Sequence, residues 1–223
     1  MKTSYVVKHL AGSLLFFVVL FICAGRIDYW QGWVYVAIGL VMFTLNYTFL
    51  SIDPGLLEER AGPHEGTKAW DKRILGISFL VTLSMYVTAG LDSGRFHWSP
   101  DFHWSLSLLG GLLVAGGQLL YLVAQHQNKF FSSTVRIQEE RGHTVCETGV
   151  YTLVRHPAYL GSVIQSLGFP LLFCSLWSIL PAGILIVLFV VRTSLEDRVL
   201  LNELAGYPEY AKKTRYRMIP GIW

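Results

Sequence analysis

Apolar residues along this chain come in long unbroken runs, and the charges are confined to the segments between them. Five stretches contain no Asp, Glu, Lys or Arg: 10–25, 33–52, 74–91, 102–125 and 157–191. A helix needs about 20 apolar residues, within a range of about 17–25, to cross a bilayer core. The first four stretches predict one helix each, the first of them short. The fifth would extend about 52 Å as one helix, too far for a core about 30 Å thick. It predicts a hairpin turning near Cys174–Trp177. The pattern therefore reads as an all-α polytopic membrane protein with six spans.

Composition agrees. The 223 residues are 52% apolar and only 15% charged, with a mean hydropathy of +0.44, whereas soluble domains carry about 25% charged residues. Of the 18 Lys and Arg, all but Arg26 and Arg95 fall in the N-terminal segment, in 53–73, in 126–156 or after 191. That imbalance predicts a cytoplasmic location for these segments and for both termini. The net charge of +3 then belongs to a face that favours anionic lipid headgroups, and no nucleic-acid partner is expected. Lys2 and Lys8 ahead of an apolar run ending Cys23-Ala24-Gly25 also have the form of a secretion signal. Ile22 is large where cleavage wants a small residue, so an uncleaved first helix is expected. Cys23, Cys146 and Cys174 read as small buried hydrophobes, with no disulfide and no metal site.

No internal repeat or low-complexity linker divides the chain, which reads as one membrane domain: four spans in 1–125, then 126–223 with the hairpin at 157–191. Gly110, Gly111, Ala115, Gly116 and Gly117 predict close packing between helices of the same molecule. Segment 53–73 opens on the turn Asp53-Pro54-Gly55. It then mixes Leu and Trp with charge, as an interfacial segment does. Segment 126–148 predicts an irregular or strand-like crossing with a turn at Arg141-Gly142-His143. Beyond the hairpin, 192–205 predicts a helix leaving the membrane with Arg192 and Glu196 on one face. Gly206-Tyr207-Pro208 ends it. The basic tail that follows reads as a headgroup-binding segment.

No apolar run carries an acidic or strongly basic side chain, which argues against a coupled transporter. Polar chemistry is expected where 126–161 and 192–223 return to the same membrane face. There the string Tyr151-x-x-x-Arg155-His156-Pro157-x-Tyr159-x-Gly161, the hydrophobic hairpin, Glu196-Asp197-x-x-Leu200, Tyr207-x-x-Tyr210 and Pro220 resemble the isoprenylcysteine carboxyl methyltransferase family. More distantly they resemble the phospholipid N-methyltransferases. His143-Thr-Val145 and Gly149-Val-Tyr151 fit the family's approach to its cofactor loop. The resemblance covers roughly 126–220, and the first four spans share only hydropathy. Membrane sterol reductases carry a related Arg-His-Pro string with an acidic residue after the glycine, where this chain has Ser162.

The resemblance implies S-adenosylmethionine as methyl donor, a lipid-like acceptor drawn from the bilayer, and a pocket built from His143, Val145, Tyr151, Arg155, His156, Pro157, Tyr159, Gly161 and Glu196. Residue chemistry is compatible with that. Arg155 can meet a carboxylate and Glu196 an ammonium or ribose hydroxyl. Tyr151 and Tyr159 offer aromatic faces. Gly149 and Gly161 permit close backbone approach, and Pro157 starts a helix. A carboxylate acceptor, ionised at pH 7, needs a cation, and Arg192 oriented by Glu196 is the candidate. An amine acceptor would need a base, for which His156 is nearest. The expected activity is carboxyl O-methylation of an isoprenylcysteine-type substrate. The alternatives are an amine or phospholipid N-methyltransferase, an NADPH-dependent lipid reductase, and a membrane scaffold.

Overall fold

The computed structural model describes residues 2–49, Gly55, Glu59, Arg60 and 66–223. About half of the expected interfacial segment at 53–73 falls outside them. Seven α-helices carry the described chain: α1 Lys2–Ala24, α2 Trp30–Thr44, α3 Ala69–Ala89, α4 Trp104–Gln127, α5 Pro157–Leu172, α6 Ile179–Glu203 and the short α7 Tyr207–Lys213. Both α2 and α3 run on into wider π turns, at Leu45–Phe49 and Gly90–Phe96. No strand occurs among the described residues. Of the two readings of 126–148, irregular or strand-like, the irregular one holds, with a single turn at Glu139–Arg141 and a left-handed Gly142 at φ +63°.

Among the described residues four helices are long and apolar enough to cross a membrane: Val6–Ala24, Ala69–Phe96, Trp104–Gln127 and Ile179–Glu203. Six spans were expected; α2 and α5, two of the six, fall short of this measure of length and composition. The reason is local. The regular part of α2 stops after 15 residues, and α5 has 16, so α5 reaches only about 24 Å. Pro170 lies inside α5 near its end, and Cys174 in the following turn adopts φ +53°. The hairpin itself is present, with α5 and α6 joined by a turn at 173–178.

The tightest packing joins α4 to α5, and its cause is the run of small residues. A Cβ on Gly117 would lie 2.4 Å from the carbonyl oxygen of Gly161, and one on Gly110 would lie 2.1 Å from the nitrogen of Leu172. The two backbones touch, so the glycines of α4 pack within the molecule as expected. Above this seam Leu20, Tyr86, Phe169, Phe173 and Leu185 close an apolar core, while Leu14, Leu112, Leu180 and Val187 stay exposed, as side chains facing lipid would be.

Hydrogen bonds fix two ends. At one, Arg95 donates to the carbonyl of Ile22 (2.7 Å), and the Ser99 and Ser175 hydroxyls both donate to Asp92 (2.6 Å each). At the other, Lys68 meets Glu203 (2.8 Å), Arg192 meets Asp71 (2.7 Å) and Arg155 meets Asp197 (2.8 Å). This second end carries the irregular segment 128–156 and everything beyond α6.

Candidate active site

At that end lies a cavity of about 340 Å³, lined from the irregular segment, the start of α5, the outer half of α6 and α7. Small-molecule sites span about 300–1,000 Å³. His143, Val145, Tyr151, Arg155, His156, Pro157, Tyr159, Arg192 and Glu196 all line it. Gly161 does not. It faces Gly117 of α4, so its lack of a side chain serves helix contact rather than ligand approach.

The chain enters the site through a designed break in helical order. His156 is the N-cap of α5 at φ −126°, and Pro157 takes the first turn, where a missing N–H costs nothing. The backbone N–H groups of Arg155 and His156 donate to the carbonyls of Tyr216 (2.9 Å) and Arg217 (2.8 Å). The basic tail, expected to meet headgroups, is thus folded back as a strap along 155–156. Lys212 and Arg215 remain exposed on it.

Asp197 organises this corner. It is fully buried. Arg155 grips it in bidentate fashion, Nε to Oδ1 at 2.8 Å and Nη2 to Oδ2 at 2.9 Å. Arg217 Nε adds a bond to Oδ2 at 2.9 Å, and Tyr207 Oη donates to Oδ1 at 2.9 Å. His156 Nε2 stands 3.2 Å from Oδ1. Arg155 Nη1 donates to the carbonyls of Thr214 and Arg215. Burial works against the Arg155 charge, and Asp197 more than offsets it, leaving the guanidinium pKa above its usual value. Arg155 is therefore committed to an internal carboxylate, where the residue pattern suggested a ligand's. Asp197 and Tyr207 were missed as site residues. The adjacent acids Glu196-Asp197 were the available signal, because neighbours on a helix point about 100° apart and the two serve different partners.

Glu196 faces the other way and accepts a 2.5 Å bond from Tyr159 Oη. Arg192 lies over the Tyr159 ring at 5.4 Å. Its orientation comes from Asp71 at the start of α3, not from Glu196: Nε donates to Oδ1 at 2.7 Å and Nη2 to Oδ2 at 3.2 Å, and Nη2 also reaches the carbonyl of Ser133 at 3.0 Å. Asp71 accepts in addition from the N–H of Val135 at 2.8 Å, tying the cavity's wall to α3. No sequence signal links residues 71 and 192.

The remaining lining is aromatic and mostly neutral. His143 stacks on Phe130 with ring centroids 4.6 Å apart, and its Nδ1 accepts from the N–H of Gln138 at 3.3 Å. Burial, with Arg141 and Arg136 nearby, pushes its pKa down to about 4, so the ring is neutral at pH 7. Tyr151 is buried, donates to the carbonyl of Ala124 at 3.2 Å and is held protonated by burial. Burial likewise raises the Cys146 thiol above its usual range, which leaves it a poor nucleophile. Among the described residues no cluster of three or more His, Cys, Asp or Glu could hold a metal ion.

Fold and site together define a polytopic helical membrane protein with a polar small-molecule cavity at one end of its bundle. Within that class, residues 108–202 match the model of the isoprenylcysteine carboxyl methyltransferase (ICMT) family. It is 34% identical over 115 residues to the protein-S-isoprenylcysteine O-methyltransferase of Saccharomyces cerevisiae, covering 48% of this chain and 46% of that protein. It is 28% identical over 144 residues to protein-S-isoprenylcysteine O-methyltransferase A of Arabidopsis thaliana, covering 61% and 68%. To form B of the same plant it is 28% identical over 85 residues, covering 37% and 43%. The chain spans about half the length of the yeast relative it matches. The family match takes in α5, nearly all of α6 and much of α4, and leaves out Tyr207 and the strap.

Proposed function

We propose that this chain is an S-adenosylmethionine-dependent methyltransferase that methylates the carboxylate of an isoprenylcysteine-type acceptor. Its cavity then faces the cytoplasm, because segments at that end carry all Lys and Arg except Arg26 and Arg95. One observation carries the reading. Inside a region like that of the family, a cavity of small-molecule size presents a carboxylate, Glu196, and a guanidinium, Arg192, on consecutive turns of α6, both in contact with Tyr159.

The lining fits a donor that bears an ammonium, a ribose, an adenine and a sulfonium. Glu196 is the carboxylate available for the ammonium or ribose hydroxyls. Phe130 and Tyr159 supply aromatic faces. His143, neutral and with its Nδ1 engaged, and Val145 offer an apolar edge suited to adenine. When bound, S-adenosylmethionine supplies an electrophilic methyl group whose transfer needs no metal. Arg192 has two of its edges fixed by Asp71 and Ser133, and its Nη1 has no partner among the described residues. That atom is left to hold an acceptor carboxylate. Asp71 offsets much of the charge, so Arg192 acts chiefly through directed hydrogen bonding, and holding the reactants in line supplies much of the rate. His156, the nearest base for an amine acceptor, already sits against Asp197 and Tyr207, which favours a carboxylate.

Calorimetric titration of the purified protein with S-adenosylhomocysteine tests the reading. Micromolar binding is expected, weakened at least tenfold by Glu196→Ala, since hydrogen bonds to charged groups contribute about 1.5–3 kcal/mol. Arg192→Ala should damage turnover of S-farnesylcysteine far more than it damages that binding. Binding of NADPH in place of S-adenosylhomocysteine would overturn the reading in favour of a reductase.

A further inference from the structure

The membrane half of the molecule holds a second cavity of about 350 Å³, formed by α1, the end of α2, α3 and α4. Phe16, Phe17, Leu40 and Phe43 make its wall apolar, and its rim carries the exposed Lys8. Polar groups interrupt that wall, among them Ser13, Tyr35 and Tyr86, and one of them stands apart. Asn46 is 2% exposed, and among the described residues its side-chain oxygen has no hydrogen-bond partner. Asn46 lies in the π turns that end α2, a departure from regular helix that recurs at functional positions. Gln118 of α4 brings a second amide to the same cavity. An acceptor oxygen removed from water and left unbonded is unfavourable, and lipid offers it no donor.

We propose that this cavity is a second small-molecule site, for a bilayer-borne amphiphile whose apolar body fills the aromatic wall and whose hydroxyl or amide N–H donates to Asn46 Oδ1. A prenyl chain is hydrocarbon and would leave that oxygen unbonded. The occupant is therefore distinct from the tail of the proposed methyl acceptor.

Native mass spectrometry of the delipidated protein tests this with dodecanol and dodecyl methyl ether, which share a chain but differ in the donor. The wild-type protein should bind the alcohol about tenfold more tightly than the ether. Asn46→Leu should abolish that preference without lowering the melting temperature, because an orphaned amide contributes no bond to the fold. An excess of S-farnesylcysteine should leave the bound alcohol in place. Equal binding of alcohol and ether by the wild-type protein would overturn the proposal. So would a melting temperature well below wild type for Asn46→Leu, which would make the amide a part of the fold. Displacement by S-farnesylcysteine would also overturn it, by giving the cavity to the acceptor.

Discussion

At each end of the α5–α6 hairpin a fully buried aspartate gathers distant segments, and the two are satisfied by different means. Asp92 collects only neutral donors: the Ser99 N–H and hydroxyl, the Ser175 hydroxyl and, at 3.4 Å, the Trp177 N–H. Asp197 collects Arg155, Arg217, Tyr207 and His156. Hydroxyls and amides suffice to pin a turn. Opposing a buried carboxylate with guanidinium groups does something more, because each cation must be desolvated and is worth its cost only with full hydrogen bonding. The cation-rich end is the one that carries the cavity. Its charge network holds the irregular segment, α6 and the strap in a fixed relation, which a site without a regular scaffold of its own requires.

The largest test of this contrast is Asp197→Ala. It strands Arg155 and Arg217, and breaking a buried pair from one side costs about 3–5 kcal/mol. The variant should melt far below wild type in detergent and lose S-adenosylhomocysteine binding. Asp92→Asn keeps one acceptor oxygen and strands no cation. It should cost about 1–3 kcal/mol and leave that binding within about twofold of wild type once folded. Equal loss of binding in both variants would dissolve the distinction between the two ends.

The smallest expected effect is a dependence on pH confined to the cavity end. His143 has its pKa lowered to about 4, by burial first and then by Arg141 and Arg136, against an ordinary value near 6.5. Above pH 6.5 the ring is neutral folded or unfolded, and its contribution is complete. As pH falls from 6.5 toward 4 the unfolded chain takes up the proton first, so stability is lost across that window. Melting curves from pH 7 to 4.5 should therefore fall more steeply for the wild-type protein than for His143→Phe, which keeps an aromatic ring against Phe130. Parallel curves would mean that His143 does not report on the cavity.

Much of this was legible in the residues, for physical reasons that vary from place to place. Charge-free runs marked the helices because lipid tolerates little else. A hairpin was forced by a run too long for one crossing, and the glycines of α4 announced a close neighbour. The Arg-His-Pro string marked the cavity because a proline at a helix start and a cation at a membrane edge leave a local trace. The shortness of α2 was not legible, since an apolar run does not show where regular helix gives way to π turns. Nor was the pairing of Asp71 with Arg192, which are brought together only by the packing of α3 on α6. Gly161 reads the same in sequence whether it admits a ligand or a helix, and only the position of Gly117 decides between them.

The strap at 214–217 has a consequence for the order of assembly. Arg155 Nη1 and the backbone N–H groups of Arg155 and His156, just ahead of α5, find their acceptors in residues made some sixty positions later. Helices α1 to α6 can enter the bilayer as they emerge from the ribosome, but the pocket beside them stays incomplete until translation has passed Arg217. Biogenesis of this protein thus separates into insertion, which proceeds helix by helix, and a late closing of the polar end, which waits on the tail.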